Sequence, residues 1–446
     1  MRYASVRFAA CLMVSVLLAF STAARGAEDD AKAAIVKMGG NVRTDDKRPG
    51  APVVAVDFGY SDKFTDTALE LAGKLPELEN LTIGSGKITG AGLAHLTGLK
   101  NLKVLSIDGI KLTDADLAHL GKIKTLENLL SIKPEAITDK GMAHLAGLTK
   151  LRVLKLDDSK ITDDGLRYLQ GMSQLFLLSL NGTGITGSGF KHFKGLNSLS
   201  NLGLMRCKLE DANLVFIADL PALSQLELNG TPITDAGLAK LRGLKNLRIL
   251  YIAGTKVTGV GLKDLPISGE LNALASAFND EGLRALDGKS LDTLRLSETN
   301  VTDAGLQHLK GLIKLQSLHL DSTKVQGTGL ASLRTLKRLV SISLSKSAVT
   351  DEGLRGLQGF ESDNLMLFLE NTKITDRGLE NLKSASFIAR LDLSGTKVSD
   401  AGLPHLEGLK RLTELQLYKT SVTQEGVDKL KKALPKCEIG ASLSKK

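Results

Sequence analysis

Apolar residues along this chain fall into one short pattern, copied many times. A clean copy runs over residues 223–246, L-S-Q-L-E-L-N-G-T-P-I-T-D-A-G-L-A-K-L-R-G-L-K-N. Its opening L-x-x-L-x-L alternates with the period of two that predicts a short strand, leucines facing inward. From Thr234 the apolar spacing lengthens to three, through Leu238, Leu241 and Leu244, which predicts a helical segment. Thr234 suits the start of that segment as a cap, and Asp235 complements its positive end.

The repeat is followed by its helical apolar residue: Leu93, Leu117, Met142, Leu166, Phe190, Leu214, Leu238, Leu262, Leu283, Leu306, Leu330, Leu354, Leu379, Leu403 and Val427. The spacing is 24 residues with four departures of 25, 21, 23 and 25. With a degenerate first copy near Val53, about sixteen units fill residues 53–433. One such unit cannot bury its apolar face alone, but stacked units hide it between neighbours. The expected fold is therefore an α/β solenoid with a parallel sheet on one side and helices on the other. Strands sit ~4.8 Å apart while helices need ~8–10 Å, so the stack is expected to curve with the sheet inside. The two short spacings fall between Leu262 and Leu306, around Leu265-Pro266-Ile267-Ser268-Gly269, where a change of curvature or a break in the sheet is expected.

Two further positions recur. The fifteenth is Gly in many units (Gly92, Gly237, Gly305, Gly402), expected to let the helix approach the sheet closely. The ninth is mostly a hydroxyl residue: Thr183, Thr231, Thr255, Thr299, Thr323, Thr372, Thr396 and Thr420, with Ser61, Ser159, Ser276 and Ser347 as variants and Cys207 in the same slot. A hydroxyl there is expected to tie neighbouring loop backbones together. Gly86, Ile110 and Glu135 depart from it, so that ladder should weaken toward the N-terminal end. A stacked core is open at both ends and needs caps. Residues 28–52 are read as the first, with a helix over Ala31 to Lys37 and a hairpin over Asn41 to Asp57 turning at Arg48-Pro49-Gly50. Residues 434–446 are the second, with a last strand near Leu434 to Ile439 and a frayed end from Ser442.

This pattern resembles the leucine-rich-repeat family, in the 24-residue T-D-x-G-L form of secreted bacterial proteins, over about residues 53–440. It is also similar to the repeats of F-box proteins. The resemblance implies a horseshoe with the sheet on its concave face and helices on its convex face. A ubiquitin-ligase adaptor is disfavoured, because the roughly 25 residues between leader and first repeat are too few for an F-box module and export contradicts it.

Residues 1–27 read as an export signal. Arg2 and Arg7 precede a thirteen-residue uncharged run from Phe8 to Phe20, then small residues through Ala27 and the acidic Glu28-Asp29-Asp30. The run is short of the roughly 20 residues a membrane span needs, which leaves an uncleaved anchor as the weaker reading and no transmembrane segment in the mature chain. The destination is the periplasm, the cell envelope or the medium.

Composition sharpens this. Charged residues are 24% and hydrophobic ones 42% of 446, as in a folded soluble chain. Aromatics are only 4% with no Trp, so the core is aliphatic. Of three cysteines, Cys11 lies in the leader; Cys207 and Cys437 are about nine strands apart, on the order of 40 Å, too far for a disulfide and expected to be buried. The formal charge of +9 resides partly at helix ends and partly in a column of lysines just before each helix: Lys63, Lys87, Lys111, Lys160, Lys256, Lys324, Lys373 and Lys397. That column suits an anionic surface polymer; export makes nucleic acid an unsuitable partner.

Chemistry has few candidates. Gly182-Thr183-Gly184-Ile185-Thr186-Gly187 matches a dinucleotide fingerprint, but the same slots elsewhere read N-G-T-P-I-T-D, so it is one repeat drifting to glycine. His95, His119, His144, His192, His308 and His405 lie on outer helices of separate repeats, too far apart to share a metal. His319 alone lies on the sheet, with Arg295 and Ser343 expected beside it and Asp321 along the same face. Ser343, His319 and Asp321 raise a hydrolase as the alternative from another class, without an oxyanion hole or a pocket to serve it. No catalytic residue, cofactor or metal is assigned. The expected activity is non-enzymatic binding of a protein partner through the concave face, by Lys155, Phe176, Glu227, Ile249, Tyr251, Arg295, His319, Met366, Phe368 and Tyr418.

Overall fold

A computed structural model describes residues 25–61, 63–84, 87–130, 133–362 and 364–442. The expected export signal lies outside them apart from residues 25–27, as does the tail from residue 443. The chain folds as two compact units that meet in sequence between Asn201 and Leu202.

The first unit opens with a helix over residues 25–37, longer than the expected Ala31 to Lys37, which buries Ala31 and Ile35. Glu28 Oε1 ties it to the hairpin by accepting from the Val53 N–H at 3.0 Å. The hairpin is as expected: Asn41–Thr44 runs antiparallel to Val53–Asp57. From there every pairing in the stack is parallel, Val53–Asp57 to Asn80–Ile83, Val104–Ile107, Asn128–Leu130, Val153–Lys155 and Leu177–Ser179. The second unit repeats this through Gln225–Glu227, Ile249–Tyr251, Glu270–Asn272, Thr293–Arg295, Ser317–His319, Ser341–Ser343, Leu365–Phe368, Ile388–Asp392 and Glu414–Leu417. A ten-residue helix, Gln424–Ala433, and a parallel strand, Glu438–Ala441, close its end.

Opposite each strand lies one short helical strap. Some are α-helical, such as Asp114–Leu120, and some are 3₁₀, such as Gly90–Leu96; others change from one to the other, as Asp163–Leu166 does into Arg167–Leu169. A leucine every third residue has the 3₁₀ period, which lines those side chains up on one edge. In the repeat of residues 223–246, Leu226, Leu228, Leu238, Leu241 and Leu244 are all buried. The shortened repeat opens no break: Tyr251, Asn272 and Arg295 are successive partners in register. The missing residues come from the helical side, where the strap is only Val260–Leu262. There the Lys289 ammonium reaches back to the Lys263 and Leu265 carbonyls at 3.1 and 2.7 Å.

The ties between repeats differ from expectation. Ninth-position hydroxyls donate within their own repeat, three residues back: Thr183 to the Leu180 carbonyl, Thr231 to Leu228 and Thr396 to Leu393, each at 2.6 Å. Neighbours are joined instead by the aspartate that opens each helix. Asp66 accepts from the N–H and hydroxyl of Thr89, both at 2.7 Å, and Asp114 does the same for Thr138 at 2.8 and 2.6 Å. The second unit repeats the arrangement with Asp211 and Thr234, Asp351 and Thr375, and Asp376 and Ser399. Where Gly90 replaces the aspartate, Thr113 turns to its own Asp116 at 2.8 and 2.7 Å. The fifteenth-position glycine serves this ladder rather than contact with the sheet. A Cβ on Gly237 would stand 2.2 Å from Asp211 Oδ1 and 3.0 Å from Leu214 Cδ1 of the preceding repeat.

Candidate functional site

The outward positions of the second unit's sheet form columns set by register. One runs Glu227, Tyr251, Asn272, Arg295, His319, Ser343, Phe368 and Asp392. The expected placement of Arg295 and Ser343 on either side of His319 is therefore found. Beside this column stand Ile249, Glu270, Thr293, Ser317 and Met366, two residues earlier in their strands.

The centre is a chain of polar contacts. The Tyr251 hydroxyl donates to Glu270 Oε2 at 3.2 Å, and Arg295 Nε donates to Glu270 Oε1 at 2.8 Å. Arg295 Nη1 lies 3.4 Å from His319 Nε2, and the Ser317 hydroxyl lies 2.9 Å from the same nitrogen. A guanidinium only donates, so Nε2 accepts and a neutral ring carries its proton on Nδ1. Burial, and then the Arg295 charge, hold the imidazole below its ordinary range. Burial and the Glu270 carboxylate push the Tyr251 phenol up. Next to this chain is a hollow of about 580 Å³ lined by Asn272, Leu274, Arg295, His319, Asp321 and Lys346, among others.

Asp321 belongs to a different set of bonds. It accepts from the Ser297 hydroxyl and the Ser345 N–H, both at 2.9 Å, and from the Ser343 hydroxyl. The nucleophile, base and orienter of a hydrolase are thus not linked in sequence: Ser343 bonds Asp321, while His319 bonds Ser317 and Arg295. The same staple recurs in the first unit, where Asp157 accepts from the Ser179 hydroxyl at 2.5 Å and the Asn181 N–H at 2.8 Å. Recurrence away from any histidine marks Asp321 as a tie between repeats.

The dinucleotide-like glycines are occupied in the same manner. Asp163 accepts from the N–H groups of Thr186, Gly187 and Gly189 at 2.8, 3.0 and 2.8 Å. These are the amides a phosphate would need. Cys207 and Cys437 are buried as expected, and burial pushes the Cys437 thiol up to about 11.

Of the candidate residues, the structure brings Tyr251, Arg295 and His319 together and adds Glu270, which sequence reasoning missed. Glu270 and Asn272 occupy the strand of the 21-residue repeat, and counting back from Leu283 in sheet register would have found them. Glu227 accepts from Gln225 Nε2 at 2.8 Å, and Ile249 pairs in register with Gln225. Met366 and Phe368 alternate outward as expected, half-buried. Tyr418 is 45% exposed just past Glu414–Leu417, and a Cβ on Gly440 would stand 2.7 Å from its hydroxyl. Lys155 and Phe176 belong to the first unit. Lys155 is exposed on its strand, and Phe176, 44% exposed, stands immediately before Leu177–Ser179. Its backbone carbonyl is engaged by the Ser200 and Asn201 amides of the next repeat, at the entry to the strand.

Comparison with known proteins agrees with this geometry. Residues 147–169 match the family described as Leucine Rich repeat. A leucine-rich-repeat protein of Leptospira interrogans aligns at a TM-score of 0.55 and 20% identity, over 86% of this chain and 94% of that one. The mouse RP105/MD-1 complex aligns at 0.54 and 17%, over 81% and 71%. An internalin of Listeria monocytogenes aligns at 0.48 and 20%, over 94% and 95%. No curated protein matches in sequence. The chain carries leucine-rich repeats and has the fold of that class; at these identities the structural likeness is one of fold alone. Among the described residues no helix is long and apolar enough to cross a membrane.

Proposed function

We propose that this chain is an exported, non-enzymatic scaffold that binds a protein partner through the outward sheet face of its second unit. The observation that carries the reading is the contact chain from Tyr251 through Glu270 and Arg295 to His319. These side chains are already held by one another on paired strands, so little rotamer freedom remains to be lost on binding. Tyr and Arg are also frequent anchors of protein interfaces. The similar mouse fold was solved as a complex, RP105/MD-1, which supports a partner-binding role. Phe368, Met366 and Ile249 would extend the contact as apolar flanks.

The test is capture from the native envelope fraction by the immobilised chain, compared between wild type, Tyr251→Ala with Phe368→Ala, and Lys240→Glu with Lys245→Glu on the helical side. Specific capture should fall by roughly tenfold or more for the first pair and hold for the second. Undiminished capture by the sheet-face variant rejects the assignment. Export is tested by fractionation and N-terminal sequencing, with a mature start near Glu28 expected and cytoplasmic retention rejecting it.

A further inference from the structure

The lysine column gains a definite geometry in the first unit. Lys63, Lys87, Lys111 and Lys160 are all exposed and occupy the same place in their repeats. Their backbones are fixed by a second, narrower set of parallel contacts beside the main sheet. The Lys87 N–H donates to the Phe64 carbonyl at 2.8 Å and the Lys160 N–H to Ile137 at 2.9 Å. Thr65 and Lys87 form a parallel bridge, as do Thr138 and Lys160, and Lys111–Thr113 pairs with Lys133–Ala136. Lys63, Lys87 and Lys111 therefore project from three successive repeats, at intervals of at least one strand spacing, ~4.8 Å, and Lys160 from two repeats further on.

Nearby negative charge is mostly turned away from them. Asp66, Asp114, Asp139 and Asp163 are bonded to the N–H and hydroxyl groups of the next repeat. Lys111 has a loose partner, Glu135 at 3.9 Å with both side chains mostly exposed; Lys63, Lys87 and Lys160 make no ion pair among the described residues. In the same unit Tyr60 is 76% exposed, in a chain with few aromatic residues, and the Asp108 carboxylate two repeats away, with a smaller part from Asp57, pushes its phenol up. The backbone before Tyr60 packs directly on Gly84, where a Cβ would stand 1.8 Å from the Gly59 carbonyl oxygen.

We propose that this edge of the first unit binds a linear acidic polysaccharide lying across the strands, its carboxylates on Lys63, Lys87 and Lys111 and one sugar ring against Tyr60. A polymer with one carboxylate per sugar offers charges at an interval like that of the lysines. Lysine ammonium groups are flexible point charges that suit such a row without the forked geometry of arginine. A single-stranded nucleic acid would need a succession of aromatic platforms for its bases, and this edge has one ring. The site is separate from the protein-binding face and does not depend on it.

The probe is a fluorescent linear oligogalacturonate of ten to twelve sugars, titrated with the full chain by anisotropy at low and at moderate salt. Lys63→Glu, Lys87→Glu and Lys111→Glu together should raise Kd by roughly tenfold or more and flatten the salt dependence by about two to three in log–log slope. Tyr60→Ala should weaken binding several-fold with the salt slope kept. Reversal of Lys240, Lys245 and Lys314, exposed in the second unit, should leave Kd within about twofold. Thermal melting of each variant checks folding, and the corresponding Lys→Gln triple replaces the Lys→Glu triple if that one unfolds. The proposal fails if the oligogalacturonate does not bind at low salt, or if the control reversal costs as much as the column. It also fails if a single-stranded oligonucleotide or polyphosphate of equal charge binds as tightly.

Discussion

The aspartate ladder makes a quantitative claim about which carboxylates the stack needs most. Asp235 accepts four donors: Thr258 N–H at 2.9 Å and its hydroxyl at 2.8 Å on Oδ2, and the Gly259 and Gly261 N–H groups at 3.0 and 2.9 Å on Oδ1. Asp351 accepts two, the Thr375 N–H on Oδ1 at 2.8 Å and its hydroxyl on Oδ2 at 2.6 Å. A hydrogen bond to a charged group nets about 1.5–3 kcal/mol, and at these part-buried sites water recovers some of it, leaving about 1 kcal/mol per donor. Asp235→Ala should therefore cost about 4 kcal/mol and Asp351→Ala about 2. Both variants lose a similar helix-end term of about 0.5 kcal/mol, so the gap between them survives.

Asparagine separates the two sites more sharply. At position 351 the amide nitrogen can stand at Oδ2 and donate to the Thr375 hydroxyl, which is able to accept, so Asp351→Asn should cost below about 1 kcal/mol. At position 235 both oxygens face backbone N–H groups, and an amide nitrogen opposes whichever pair it meets; about 3 kcal/mol is expected. Urea unfolding followed by circular dichroism gives the midpoints. Because long repeat arrays depart from all-or-none unfolding, hydrogen exchange at Thr258, Gly259 and Gly261 should accompany it. Equal costs for the two Asn variants, or unchanged exchange at those three amides, would refute the ladder as the tie between repeats.

Two further outcomes follow from the same geometry. Gly237→Ala should destabilise by about 1–3 kcal/mol through its collision with Asp211, whereas Gly98→Ala, with nothing within 4 Å of its added methyl, should be neutral or slightly stabilising; parallel urea titrations decide. The His319 ring should titrate below 6.5 by NMR and move upward, though not fully, in Arg295→Gln, since burial is the larger cause. The folded state then resists a proton that the unfolded chain accepts. Its stabilising contribution is present above 6.5 and is lost as pH falls below that toward the folded value. A ring titrating at or above 6.5 would contradict the packing against Arg295.

The in–out alternation of each strand was legible because side-chain period alone sets it: Leu226 and Leu228 inward, Gln225 and Glu227 outward. The spacing of leucines likewise announced the straps, and the changes of period located the shortened repeat. Polar partnerships were not legible. Thr-Asp at a helix start satisfies the rules of capping within one repeat, and no local signal says that the aspartate bonds a threonine 23 residues on. The ninth-position hydroxyl was misread because a short polar side chain has several partners in reach and only packing selects one, and the fifteenth glycine because the side chains it makes room for belong to the preceding repeat. Glu270 was hidden by three missing residues that displaced the count without displacing the register.

These ties also explain why the sheet face is available for recognition. In most repeats the stack draws its polar bonds from the loops: a hydroxyl closing its own turn, an aspartate gripping the next repeat, and at Asp157 and Asp321 a second carboxylate doing so on the sheet side. Apart from Ser179 and Ser343, which donate to those two carboxylates, the third and fifth positions of the strands take no part in these ties. Residues there can change without loosening the stack, and the pairing of Glu270 with Arg295, at side-chain exposures of 26% and 44%, contributes at most about 1 kcal/mol to folding. A contact chain from Tyr251 to His319 is therefore not required by the solenoid. Its physical effect is to hold four functional groups in one arrangement, as the proposed recognition by this face requires. Folding and binding should accordingly separate: ladder substitutions lower stability wherever they fall, while substitutions at Tyr251 or Arg295 leave the stack intact and act on the partner.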